Sequence, residues 1–222
     1  MRYLIILLTI CCTSLSIAQV HIPRCNFDSL YLEELKSPAF RELQKIEEVH
    51  FQQYLLEKSD TLEILTIPVV VHIVKNMNEV EMNITDEMIF RQLEILNETY
   101  NAQNTDIANT PESFEPLIGN VGIEFCLATV DPNGYSTTGI TRTTTEVDIF
   151  STVSNTIKFT SDGGMDAWNT DHYLNIWVGK LSSSILGYSH LPTGSIPAEE
   201  HGLVVNYPYF GESDHVAYGM GK

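Results

Sequence analysis

The sequence predicts an α+β fold: a twisted mixed β-sheet with helices, preceded by a helical segment of different character. Three observations carry this. The run Ile67-Pro68-Val69-Val70-Val71-His72-Ile73-Val74 is almost continuously apolar and β-branched, the pattern of a strand buried on both faces. Stretches after Ser37 and after Thr85 repeat apolar residues at three- and four-residue steps, which is the period of an amphipathic helix. Beyond Leu62 a strand, a helix and further strands follow one another, as in a mixed sheet with a crossover helix.

The chain opens with Arg2, an apolar stretch from Leu4 to Ile10 and small residues at Ser16 and Ala18, so residues 1–18 read as a secretory signal peptide. This stretch is too short for a membrane span. A lipidated Cys11 or Cys12 is the competing reading, disfavoured by Ile10 where a small residue is needed. From Phe27 to Lys58 the composition is helical and charged. Ser37 supplies an N-cap and Pro38 a first-turn residue, after which Phe40, Leu43, Ile46, Phe51, Tyr54 and Leu55 form an apolar stripe.

In the predicted strand from Ile64 to Val74, Pro68 lies near the start and His72 reads as a hydrogen-bonded core residue. Thr85 caps a helix opened by Asp86 and Glu87, with Ile89, Leu93, Leu96 and Tyr100 on one stripe. Residues 121–130 alternate loosely, and Asp131-Pro132-Asn133-Gly134 is a turn before the Thr-rich run from Gly139 to Thr145, which predicts a hairpin or short meander. Tyr173 to Val178 is a second buried strand, and Trp168 and Trp177 read as core anchors. Gly163-Gly164 is too short for a phosphate loop and reads as a tight turn. Asn83-Ile84-Thr85 and Asn97-Glu98-Thr99 match glycosylation acceptors but are equally a helix cap and a helix surface.

With 29 acidic against 12 basic residues the formal net charge is −17, so nucleic acid and anionic membranes are not expected partners. The acidity reads as a solvated extracellular surface. Beyond the leader only Cys25 and Cys126 remain, and they fall in segments of different character. Cys126 is read as a small buried apolar residue.

The ordered series Ile123-Glu124-Phe125-Cys126-Leu127-Ala128, Asp131-Pro132-Asn133-Gly134, Thr138-Gly139-Ile140-Thr141-Arg142-Thr143, Gly163-Gly164-Met165-Asp166-Ala167-Trp168, Tyr173-Leu174-Asn175-Ile176-Trp177-Val178, Leu186-Gly187-Tyr188 and Gly202-Leu203-Val204-Val205 resembles the pappalysin family of zinc metallopeptidases, a branch of the metzincins. The resemblance implies a zincin/metzincin-like upper subdomain, with residues 19–61 as a pro-segment and 62–222 as the N-terminal part of a catalytic domain. It implies a secreted zinc endopeptidase acting on peptide or protein substrates. Metzincins hold zinc with a His-Glu-x-x-His helix and a third His. None of the seven His here precedes a Glu, so the zinc ligands are expected downstream of Lys222 and the chain is expected to be an inactive fragment. The complete protein could also take calcium. The rival reading is a non-catalytic secreted binding module derived from a metzincin.

Within that resemblance Leu186-Gly187-Tyr188-Ser189 corresponds to the rim strand that pairs with an extended substrate, and Gly187 would let the substrate backbone come close. Its competing reading is an ordinary edge strand. Cys25 in Pro23-Arg24-Cys25 resembles the cysteine switches of latent metzincins, with a free or disulfide-bonded thiol as the alternative. No catalytic or metal residue is assigned: His190, His201 and His215 lie among Gly and Pro at spacings that share no helix face, and Glu199, Glu200 and His201 read as a solvent-facing turn.

Overall fold

A computed structural model describes residues 27–57, 64–182, 185–190 and 196–211. Helices α1 (Phe27–Glu34) and α2 (Pro38–Glu57) come first, then strand β1 (Leu65–Asn76) and helix α3 (Asp86–Tyr100). Strands β2 (Ile123–Leu127), β3 (Ile140–Thr145), β4 (Leu174–Gly179), β5 (Gly187–His190) and β6 (Gly202–Asn206) complete the sheet. They lie in the order β2-β1-β4-β6-β5, with β3 also on β1. All pairings are parallel except β5 with β6.

β1 is buried on both faces from Val69 to Val74, as its composition dictates. On one face Val69, Val71 and Ile73 pack with Ile176, Val178 and the α3 residues Ile89 and Leu93. On the other, Val74, Trp177, Tyr188 and Val204 pack under Phe150 and Ile157 from the long connection between β3 and β4. Trp177 is fully buried and its indole N–H donates to the Met165 carbonyl at 2.7 Å. Trp168 is only half-buried, set edge-on to His72 and Tyr173.

Thr85 caps α3 through the Met88 N–H, and Asp86 and Glu87 occupy its first turn. At its far end the Asn97 amide bonds both main-chain groups of Phe125, at 2.9 and 2.7 Å. That engagement of Asn97 favours the helix-surface reading over the glycosylation one. Ser37 caps α2 through Phe40 N–H at 3.4 Å. The stripe on α2 is not covered along its length: Phe40 is buried, whereas Ile46, Phe51 and Tyr54 are exposed.

Two expectations are corrected. Residues 123–145 do not form a hairpin. β2 pairs with residues 65–69 of β1 and β3 with residues 71–76, so the two are consecutive pieces of one interrupted edge. Only the isolated Val130–Ser136 bridge closes the intervening loop antiparallel. The interruption needs glycine: Gly139 has φ +71, and a Cβ there would lie 2.8 Å from Ala128 N. Cys126 is an exposed free thiol rather than a buried one. Strand alternation turns Phe125 inward and Cys126 outward.

His72 is the hydrogen-bonded core residue that its setting predicts. Nε2 meets Asn175 Oδ1 at 3.0 Å and Nδ1 meets Thr141 Oγ1 at 2.7 Å. Asn175 Nδ2 donates to the Trp168 carbonyl, so its Oδ1 must accept and the ring proton belongs on Nε2. Burial pushes the imidazole down to about 4, with the Asn175 bond opposing. The unfolded chain therefore takes up this proton first. Stability is complete above pH ~6.5 and declines as pH falls towards ~4, by on the order of 3 kcal/mol. Denaturant titrations between pH 7.5 and 4 should show this slope, and His72→Gln should flatten it while lowering stability at pH 7.5.

Candidate functional site

β5 ends the sheet and is its one antiparallel member, in the register Gly187↔Val205 to His190↔Gly202. Asn206 N–H donates to the Leu186 carbonyl at 2.8 Å, which makes 186 and 206 a hydrogen-bonded pair. By antiparallel alternation Tyr188 and His190 turn their main-chain groups to β6, while Gly187 and Ser189 turn theirs to the free edge. The residues singled out from sequence, Leu186 to Ser189, are thus on an edge with two outward-facing peptide units. Gly187, however, is glycine for a reason internal to the sheet. A Cβ there would sit 2.5 Å from the Val204 carbonyl oxygen of β6.

Tyr188 is buried in the second core cluster, and burial raises its phenol, with Glu200 adding. Beside it lies Lys158, buried, with its ammonium 5.2 Å from the Trp177 ring centre and 5.5 Å from that of Tyr188. Lys158 donates to the Glu200 carbonyl oxygen, and Asn155 Nδ2 donates to the Glu200 carboxylate. Burial pulls the Lys158 amine down to about 8, and the Glu200 charge partly restores it. Glu200 is therefore not part of a solvated turn: Glu199 is exposed, but Glu200 is half-buried and tied from two sides. The sequence carries a hint of this in Ile157-Lys158-Phe159, a cation between large apolar residues, but its partner, the Glu200 carbonyl, is 42 positions away.

A cavity of about 510 Å³ opens where the starts of β1, β4 and β6 meet the end of β5. Ser189, His190, His172 and His201 line it. His190 bonds Glu34 through Nδ1 at 2.8 Å, and His201 Nε2 lies 3.2 Å from the Ile196 carbonyl. Among the described residues no three His, Cys, Asp or Glu side chains converge as a metal site. Cys25 and His215 lie outside the described residues.

The parallel sheet, its single antiparallel rim and the supporting α3 are the α+β fold of a metzincin-type zinc metallopeptidase. Solved structures that share it include forms of mirolysin from Tannerella forsythia. A promirolysin mutant aligns with TM-score 0.75 and 39% identity over 86% of this chain and 63% of that one. Mature mirolysin in complex with a cleaved peptide gives 0.68 and 43% over 74% and 60%. Mirolysin in complex with compound 9 gives 0.67 and 43% over 72% and 59%. The chain spans about three-fifths of the length of these relatives. No family model and no curated protein sequence matches it.

Gly187→Ala tests the packing of the rim. The added methyl must displace β5 from β6, at a cost of about 1–3 kcal/mol. Thermal unfolding should show a clear loss of stability for Gly187→Ala and almost none for Ser189→Ala.

Proposed function

We propose that this chain carries the leader (1–18), pro-segment (19–61) and N-terminal part of the catalytic domain (62–222) of a secreted zinc-dependent endopeptidase of the pappalysin branch. The observation that carries this is the antiparallel rim strand, with Gly187 and Ser189 facing the free edge, in a chain 39–43% identical to a peptidase solved with a cleaved peptide. The pro form matches 86% of this chain and the mature form 74%, which supports the N-terminal segment as a pro-segment.

In this reading an extended substrate adds to β5 as a further strand. Its peptide groups pair with those of Gly187 and Ser189, giving affinity largely independent of substrate side chains. The described residues do not fit a zinc site, so no step of hydrolysis is assigned to them. Their part is to orient the scissile peptide against the metal-bearing portion of the domain. Cys25 is assigned the latency switch, because a thiolate is a good zinc ligand and would displace the metal-bound water.

The complete gene product should cleave an unstructured protein, lose this activity to a chelator and regain it with zinc. Residues 19–222 alone should not cleave. Zinc-dependent cleavage by that piece would place the active site inside it and overturn the assignment. In the complete enzyme Ser189→Pro deletes one outward N–H without removing a rung to β6, and should lower kcat/KM for unrelated peptides by about tenfold with the metal content unchanged. Cys25→Ala should let the uncleaved precursor hydrolyse a reporter peptide, and unchanged latency would leave Cys25 a structural role.

A further inference from the structure

The contact between α1 and the rim strand is more than lateral packing. Leu30 of α1 packs against the second core cluster, which includes Tyr188 of β5. Tyr31 stacks on Phe27, meets Phe40 edge-on and accepts from Gln44 Nε2 at 2.9 Å, so α1 and α2 are joined. At the end of α1, Glu34 Oε1 lies 2.8 Å from His190 Nδ1, with side chains only 12% and 7% exposed. By contrast the ion pairs Glu33–Lys36 and Glu42–Lys45 are at least 66% exposed on both partners. Exposed pairs of that kind contribute little to stability, whereas a nearly dry carboxylate with one partner is costly to strand.

The imidazole also reaches inward. Asn155 Nδ2 sits 3.4 Å from His190 Nε2 and donates to the Glu200 carboxylate, while the Glu200 carbonyl accepts from Lys158. Asn155 sits at φ +51, a left-handed conformation uncommon for a residue other than glycine. A continuous polar chain therefore runs from Glu34, through the last residue of β5, to a buried ammonium under Trp177 and Tyr188.

We propose that Glu34–His190 is the latch that holds the pro-segment on the rim strand, and that breaking it loosens α1 and β5 together. This rests on the reading of residues 19–61 as a pro-segment for its regulatory meaning, but the latch is a property of the chain itself. Glu34 is the docking residue and His190 its receptor. The Asn155–Glu200–Lys158 group keeps the imidazole oriented towards α1.

Hydrogen–deuterium exchange on the precursor separates the two claims. Glu34→Ala should speed exchange in residues 27–34 and 187–190 by about tenfold or more, with α3 and β1 unchanged. Glu34→Gln, which keeps an acceptor, should fall between, and Glu33→Ala should match the wild type. His190→Gln provides the reciprocal variant. If Glu34→Ala and His190→Gln both retain wild-type exchange in α1 and β5, the latch is overturned. A complete gene product that never cleaves protein would instead overturn the peptidase reading, and the exchange result would still decide the latch.

Discussion

Everything in this structure hangs on one strand that is hydrogen-bonded along both edges and buried on both faces. β1 takes β2 and β3 in succession on one side and β4 on the other, so four of the other five strands are positioned by it directly or through β4. A strand so enclosed has no solvent to satisfy a polar side chain, and the imidazole of His72 is admitted because both its nitrogens are used. Through Thr141 and Asn175 that ring clamps β3 and β4 to β1. Asn175 then fixes both main-chain groups of Trp168, at 2.8 and 2.9 Å. One neutral imidazole thereby ties three strands and a loop by fully matched donors and acceptors, the condition under which buried polar groups add specificity rather than cost.

The rim is built on different terms. β5 touches the sheet through β6 alone, is four residues long and owes its position to a close main-chain approach at Gly187. Its inward side chains are aromatic or part of the Lys158–Glu200–Asn155 group, and its outward peptide units carry no ladder. Among the described residues such an edge is packed where it meets the core and unpaired where it faces away, the combination that strand addition requires. The buried Glu34–His190 contact also holds α1 against this strand.

The elements that local chemistry specifies were legible in the sequence: the β-branched run of β1, the Thr85 cap with its acidic first turn, the Ser37-Pro38 start of α2 and the turn at Asp131. The placement of Leu186 to Ser189 on an edge was reached through family resemblance, since four residues of mixed polarity have no period of their own. What was not legible depends on pairing partners. The excursion between β2 and β3 looks like a hairpin because its turn chemistry is strong, and nothing local reveals that both flanks pair with β1. Cys126 reads as a small buried apolar residue, although strand alternation on an edge turns it outward. Glu200 and Lys158 could not be matched from sequence, because the fold brings them together from distant turns.

The interrupted edge has a consequence for how this scaffold can vary. The chain leaves β1 where Ala128 N–H meets the Val69 carbonyl and returns where the Gly139 carbonyl meets Val71 N–H, both at 2.8 Å. Within the excursion Asp131 Oδ1 gathers the Asn133 and Tyr135 N–H groups, and Asp131 N–H bonds back to Tyr135. The loop is thus an appendix spliced between adjacent rungs, closed on itself and tied at its base by the Tyr173 hydroxyl, which donates to the Val130 carbonyl at 2.9 Å. Its tip can lengthen, shorten or accept a foreign peptide without changing the register of any strand, provided the glycine at its return point is kept.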